Sequence, residues 1–257
     1  MAISLSSIRK GVRVMPPRIV LHGGKGLGKT TFAAGAPKPI FAPTEDGLGT
    51  LNVESFPLAR SYADFMGGLS ALANESHEFQ TVVVDSLDWL EPLIWQEACS
   101  RHSQPNIEAF GFGKGYLAAS EIWREVFDTL THLRDAKGMA SILICHTHVK
   151  RFEAPDVDPY DRYQLKLHER ASAITQEWAD AILFAQMKTF TKTVKGDFGK
   201  ETTRGISTGE RVMFTEERPA YVAKNRYQLP HELPLRWDAF ADAMSASIAR
   251  NEQAAAA

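Results

Sequence analysis

The densest chemistry in this chain lies in His22–Thr31, HGGKGLGKTT. The spacing Gly23-x-x-x-x-Gly28-Lys29-Thr30 suits one task, the wrapping of backbone N–H groups around phosphates. Lys29 is placed to reach the β- and γ-phosphates, and Thr30 to offer its hydroxyl to Mg²⁺. Gly23, Gly24, Lys25, Gly26, Leu27, Gly28, Lys29, Thr30 and Thr31 therefore form the candidate nucleotide cradle. Lys25 is a base the bare motif does not need. It is either a solvated loop residue or a contact to a neighbouring subunit.

A magnesium-bound phosphate calls for a carboxylate, and VVVD offers Asp85 at the end of an apolar run. With Thr30 it forms the candidate metal pair; capping of the following helix is the alternative use of an acid there. Hydrolysis also needs a group that orients or activates water. Glu45 follows the run PIFAPT, on the strand expected beside the loop strand, with Asp46 adjacent. The stretch Asp46-Gly47-Leu48-Gly49 imitates a switch motif, but it follows the wrong strand and no NKxD guanine motif occurs. His146 and His148 end the run ILICHTH. His146 reads either as a polar sensor of the γ-phosphate or as a structural histidine, and a zinc pair lacks further ligands nearby. Lys224 and Arg226 share one strand face in VAKNR, as an active-site pair or as bases guarding a sheet edge.

Two segments mix bases with aromatics, the pattern that suits single strands, because phosphates take the charge and bases stack on rings. The first carries Lys150, Arg151, Arg162, Lys166 and Arg170 around Phe152 and Tyr163. The second carries Lys188, Lys192, Lys195, Lys200 and Arg204 around Phe190 and Phe198, five bases against Asp197 and Glu201. A solvated face is the alternative for each.

These residues need a scaffold, and the pattern supplies one. Arg18–Gly23, Pro39–Glu45, Thr81–Ser86 and Ala140–His148 read as buried strands. Helical stretches separate them, including Tyr116–Gly138, where Leu117, Ile122, Val126, Phe127, Leu130 and Leu133 form one stripe and Gly138 suits a C-cap. That alternation predicts a mostly parallel α/β sheet. Val149–Gln176 reads as a polar segment with a mobile loop. Beyond it, a hairpin turning at Lys195-Gly196-Asp197 and strands in RVMFTEE and AYVAKNR predict an antiparallel extension at one edge. The 257 residues read as one domain, with a lead segment at 1–17 and a disordered tail at 251–257.

The bulk numbers bound the partners. A formal net charge of -2 requires any nucleic-acid contact to come from a local patch. Two distant cysteines, Cys99 and Cys145, argue against a disulfide framework and fit a reducing compartment. No apolar run reaches the length of a membrane span, and the first residues lack the apolar core of a secretory signal.

Taken together, GGKGLGKTT, APTEDGL, VVVDSLDWL, FGKGYLAAS, ILICHTHVKRFE and RVMFTEERPAYVAKNRYQLP resemble the RecA-like ATPase core. The closest likeness is to phage-encoded nucleotide-binding proteins that act as single-strand annealing recombinases. The resemblance implies ATP and Mg²⁺ as ligands, with Glu45 as the water-activating glutamate. It puts His146 where RecA itself carries glutamine, and single-stranded DNA on the segment that follows. It makes Lys224 and Arg226 the bases that reach a neighbour's γ-phosphate, so it implies a homo-oligomer with ATP at subunit junctions. The expected activity is DNA-stimulated ATP hydrolysis driving annealing or strand exchange in the host cytoplasm, with a single-strand-binding protein as a candidate partner. A replication motor or helicase loader would use the same core. A small-molecule kinase would need an arginine-rich lid and an acceptor pocket, and neither is evident.

Overall fold

The computed structural model describes residue 4 and residues 14–195 and 201–256, with backbone alone at 189–195, 201–208 and 255–256. Its centre is the run of strands predicted from the apolar stretches: β1 (Arg18–Gly23), β2 (Pro39–Pro43), β4 (Thr81–Asp85) and β5 (Ala140–Ala154), with a short β3 (Glu54–Ser55). The buried stretch of each core strand is mainly apolar because both faces of the sheet are covered. Val20, Val82, Val84 and Leu143 pack against α2 (Tyr62–Asn74), α3 (Leu87–Arg101), α4 (Lys114–Lys137) and α5 (Glu169–Trp178). Their neighbours Ile19, Leu21, Val83 and Ile142 point the other way, onto Phe32 of α1 (Lys29–Ala34) and Phe240 of α6 (Trp237–Ala256). The result is an α/β/α sandwich with a RecA-like P-loop core.

With β7 (Ala181–Lys195), β8 (Glu201–Phe214) and β10 (Glu232–Pro234), the strands run β10-β8-β7-β1-β5-β4-β2-β3 across the sheet. β1 is parallel to both β5 and β7, and β4 lies beyond β5. This corrects one expectation: β2 pairs with β4, not with β1. The strand interposed between β1 and β4 is β5, so residues at its tip stand between the loop and the Asp85 carboxylate. The antiparallel extension is present as β7, β8 and β10. The first arm of the hairpin continues β7 and its second arm runs on into RVMF as β8, residues 196–200 of its turn lying outside the described residues, whereas AYVAKNR contributes only β9 (Lys224–Asn225).

Three further readings change. Val149–Gln176 is ordered: β5 continues past His148 to Ala154 and turns back as β6 (Val157–Leu165), before α5. Leu117 stands on the open side of α4, 52% exposed, whereas Ile122, Val126, Phe127, Leu130 and Leu133 are buried. Gly138 does cap α4, in the left-handed region at φ 68°. Asn251–Ala256, read as a disordered tail, continues α6. Among the described residues no helix is long and apolar enough to cross a membrane.

Candidate nucleotide site

β1 delivers the loop at Gly23, where a side chain would stand 2.5 Å from the Ala185 carbonyl oxygen, so β7 leaves room for glycine only. The loop folds around its own lysine. Lys29 Nζ donates to the carbonyls of Gly24 at 2.8 Å and Gly23 at 3.1 Å. Burial lowers its pKa, and Asp85 pulls in the opposite direction. α1 has six residues, so anion binding rests on loop N–H groups and Lys29 more than on a long helix dipole.

β4 ends with Asp85 facing the loop. Thr30 Oγ1 donates to Asp85 Oδ2 at 2.9 Å. Burial raises the Asp85 pKa against the pull of the Thr30 hydrogen bond and Lys29. The Asp85 carbonyl accepts from the backbone N–H of Thr44 (2.8 Å) and Glu45 (3.3 Å). That is how Glu45 arrives although its strand lies far from β1. Its carboxyl is likewise pushed up, mainly by burial, with His146 pulling down.

His146 pairs with Gly23 in the β1–β5 register. Its backbone N–H donates to Asp88 Oδ1 at 3.0 Å, and Nδ1 lies 3.0 Å from Asp88 Oδ2. Burial pushes the Asp88 carboxyl up, but the bonds from His146 outweigh it and hold it at about 2. Asp88 takes Nδ1, so the other ring nitrogen is the one that can meet a ligand. Lys29, Thr30, Glu45, Asp85 and His146 line one cleft of about 450 Å³, with Arg211 at its rim. A hollow of similar size beside β3, about 420 Å³, is lined by Lys38, Glu54, Glu78 and Phe79 and lacks such converging groups.

Thr30 and Asp85 are oxygen donors, and Mg²⁺ is held by one or two such groups together with phosphate oxygens, so the pair fits that ion. Among the described residues no group of three or more His, Cys, Asp or Glu side chains could hold a metal, which leaves a His146–His148 zinc pair without a ligand set.

Sequence reasoning missed Asp88, Arg211 and His22. Asp88, in the first turn of α3, is the partner of His146. His22 is fully buried, and burial lowers its pKa to about 4, so the ring is neutral. Val222 O can only accept, so Nε2 donates to it at 2.8 Å and Nδ1 accepts from Thr147 Oγ1 at 2.9 Å. The first residue of HGGKGLGKTT thus ties the loop to β5 and to the segment before β9.

The other predicted residues fall in three places. Lys150 and Arg151 are exposed on the β5–β6 arm. Lys166 sits at its base, its Nζ 3.5 Å from Asp88 Oδ2, and Arg170 is exposed on α5. Arg162 departs from the DNA-contact expectation. It is buried, pairs with Glu217, donates to Tyr221 O at 3.3 Å and lies over the Phe152 ring, so its charge is used inside the fold. Lys188 pairs with Glu232. Lys192 and Lys195 lie on β7, and Lys200 is outside the described residues. Lys224 and Arg226 sit at the opposite end of the sheet from the loop, where Asn225 pairs with Ala181. Lys224 Nζ donates to Gln176 O and Glu177 O, and Arg226 pairs with Asp180 at 3.2 Å. Any contact of these two with a bound nucleotide requires a second copy of the chain.

Residues 15–227 match the AAA domain family AAA_24, a span that takes in the loop, Glu45, Asp85 and His146. The chain belongs to that family of P-loop ATPases. The match stops before β10 and α6, which complete the sheet edge and the second helical layer. The chain is also similar to the SPbeta prophage-derived uncharacterized protein YorG of Bacillus subtilis (strain 168), 28% identical over 116 residues, 42% of this chain and 35% of that protein. The likeness therefore spans about a third of the relative's length.

Proposed function

We propose that this AAA-domain protein is an ATP-dependent single-stranded DNA-binding recombinase, promoting annealing or strand exchange of the phage type. The observation that carries the reading is the continuity of β5. One strand bears His146 in the nucleotide cleft and, beyond it, the exposed Lys150 and Arg151. A change sensed at the phosphates has an unbroken covalent and hydrogen-bonded route to bases able to neutralise a nucleic-acid backbone. The prophage derivation of the relative in Bacillus subtilis supports a phage setting.

In this reading Lys29 neutralises the β/γ-phosphate oxygens, and the loop N–H groups hold the chain of phosphates in place. Glu45, its carboxyl raised by burial, orients water and accepts its proton. His146, fixed by Asp88, meets the terminal phosphate and transmits its presence along β5. Mg²⁺, when bound by Thr30 and Asp85, supplies charge neutralisation on the transferred phosphoryl group. Lys224 and Arg226 are offered to a neighbour's nucleotide in an oligomer, so that ATP assembles subunits on DNA and hydrolysis releases them.

The test is ATP turnover with and without single-stranded DNA, read beside particle size by light scattering. The wild-type rate should rise with DNA, and Lys29→Ala should lose at least about a hundredfold of it. A robust rate indifferent to DNA would count against the recombinase reading. Directional unwinding would favour a motor or helicase loader.

A further inference from the structure

We infer that Arg211 binds the α- and β-phosphates of the nucleotide from within the same chain, as a clamp supplied by the antiparallel extension. The inference rests on the reading of the loop as an ATP site and adds a residue that belongs to no part of its motif. Arg211 lies on β8, opposite Met187 of β7. Next along the ladder, Thr189 pairs with Ser207, so β8 spends two more residues than β7 over that step. Gly209, at φ 80°, sits in the surplus. Such a bulge bends its strand and re-aims the side chains beside it. Leu235 N–H donating to Arg211 O at 3.0 Å, and the buried Val212 and Met213, hold the backbone there.

The guanidinium ends against the loop. A methyl group placed on Gly28 would stand 3.0 Å from Arg211 Nη1 and 4.0 Å from Thr31 Oγ1. Glycine suits Gly28 because of its φ of 96°, and its missing side chain leaves room for this approach. Arg211 is exposed, lines the cleft and, among the described residues, has no carboxylate in ion-pair reach. A planar cation beside a phosphate cradle, with no acid to neutralise it, is suited to bidentate phosphate binding.

Its position says which phosphates. Glu45, Asp85 and His146 gather with Lys29 and Thr30, where the terminal phosphate is processed. Arg211 stands instead over Gly28, on the backbone cradle that holds the α- and β-phosphates. It therefore serves diphosphate and triphosphate alike. Lys224 and Arg226, at the far end of the sheet, cannot substitute for it within one chain.

The experiment titrates fluorescent ADP and a non-hydrolysable fluorescent ATP analogue onto the wild type, Arg211→Ala and Arg211→Lys. Circular dichroism checks that each variant is folded. Arg211→Ala should weaken both nucleotides by a similar factor, about tenfold or more, and Arg211→Lys should recover part of the loss. The KM for ATP should rise by more than kcat falls. Unchanged ADP affinity in Arg211→Ala would overturn the proposal. So would a loss confined to the triphosphate analogue, which would make Arg211 a γ-phosphate sensor. A wild-type chain that binds neither nucleotide would remove the ATP reading itself.

Discussion

The two ends of the central sheet carry charge in opposite ways. At the end where β1 and β7 begin, one carboxylate, Asp180, meets three guanidinium groups. Arg18 grips it through Nη2 at 2.8 Å and Nε at 3.1 Å, Arg226 lies at 3.2 Å and Arg134 at 3.5 Å. Burial pushes the Asp180 carboxyl up, but the hydrogen bonds and charge of Arg18, with Arg134 behind them, prevail and its pKa is lowered. At the loop end three carboxyls, Glu45, Asp85 and Asp88, surround Lys29 and His146, and Lys166 reaches Asp88 alone, at 3.5 Å. There burial prevails for Asp85 and Glu45, and both are raised. The first cluster is satisfied by the chain itself and fastens strand to strand. The second leaves Asp85 and Glu45 without an ion-pair partner among the described residues, and a cation held by Asp85 and Thr30 would complete it.

The sharpest way to break this contrast is at Glu45. If Glu45 orients water as proposed, Glu45→Gln should lower ATP turnover by about 10²–10³-fold while nucleotide affinity and stability hold. A drop in melting temperature instead would mean that the loop end is also a clamp.

At the other end, Asp180→Ala leaves three arginines without their acid, two of them with side chains only 16% exposed. Denaturant unfolding should show a loss of about 3 kcal/mol. Nucleotide affinity should stay within about twofold, and a larger change would show that the two ends communicate.

Glu91 gives a smaller, pH-dependent test. It is buried one turn along α3 from Asp88 and accepts from His168 N–H at 3.0 Å. Burial raises its pKa from 4.5 to about 7. The folded state therefore holds this proton more tightly than the unfolded chain, and stability falls as pH rises from 4.5 to about 7. Glu91→Gln should flatten that slope and be more stable than the wild type at pH 8 by ~3 kcal/mol, read from unfolding curves at pH 5 and pH 8.

What could be read in the sequence follows from how local each signal is. The loop and Asp85 were visible because strand, turn and helix start lie within a few residues of one another. Glu45 was found by its place after an apolar strand, although the strand order assumed for it was wrong. Parallel strands pair across helices, and nothing local states which two will be neighbours. The same reason hid Arg211, which reaches Gly28 only through the register of β8 on β7. Arg162 looked like a free base because its burial depends on Glu217 and Tyr221, far along the chain. The β5–β6 arm was read as a loop because its polar residues lack the alternation that a half-buried strand shows.

β5 has one more consequence. From His146 to Ala154 the strand extends roughly 26 Å at about 3.3 Å per residue, paired with β6 in unbroken register from Thr147 to Phe152 and with one irregularity before Ala154. Pivoted where it leaves the core, this length is a lever whose short arm lies in the cleft. A tilt of about 5° at His146, too small to disturb the packing below it, would carry the tip of the arm through ~2 Å, the difference between a made and a broken phosphate contact.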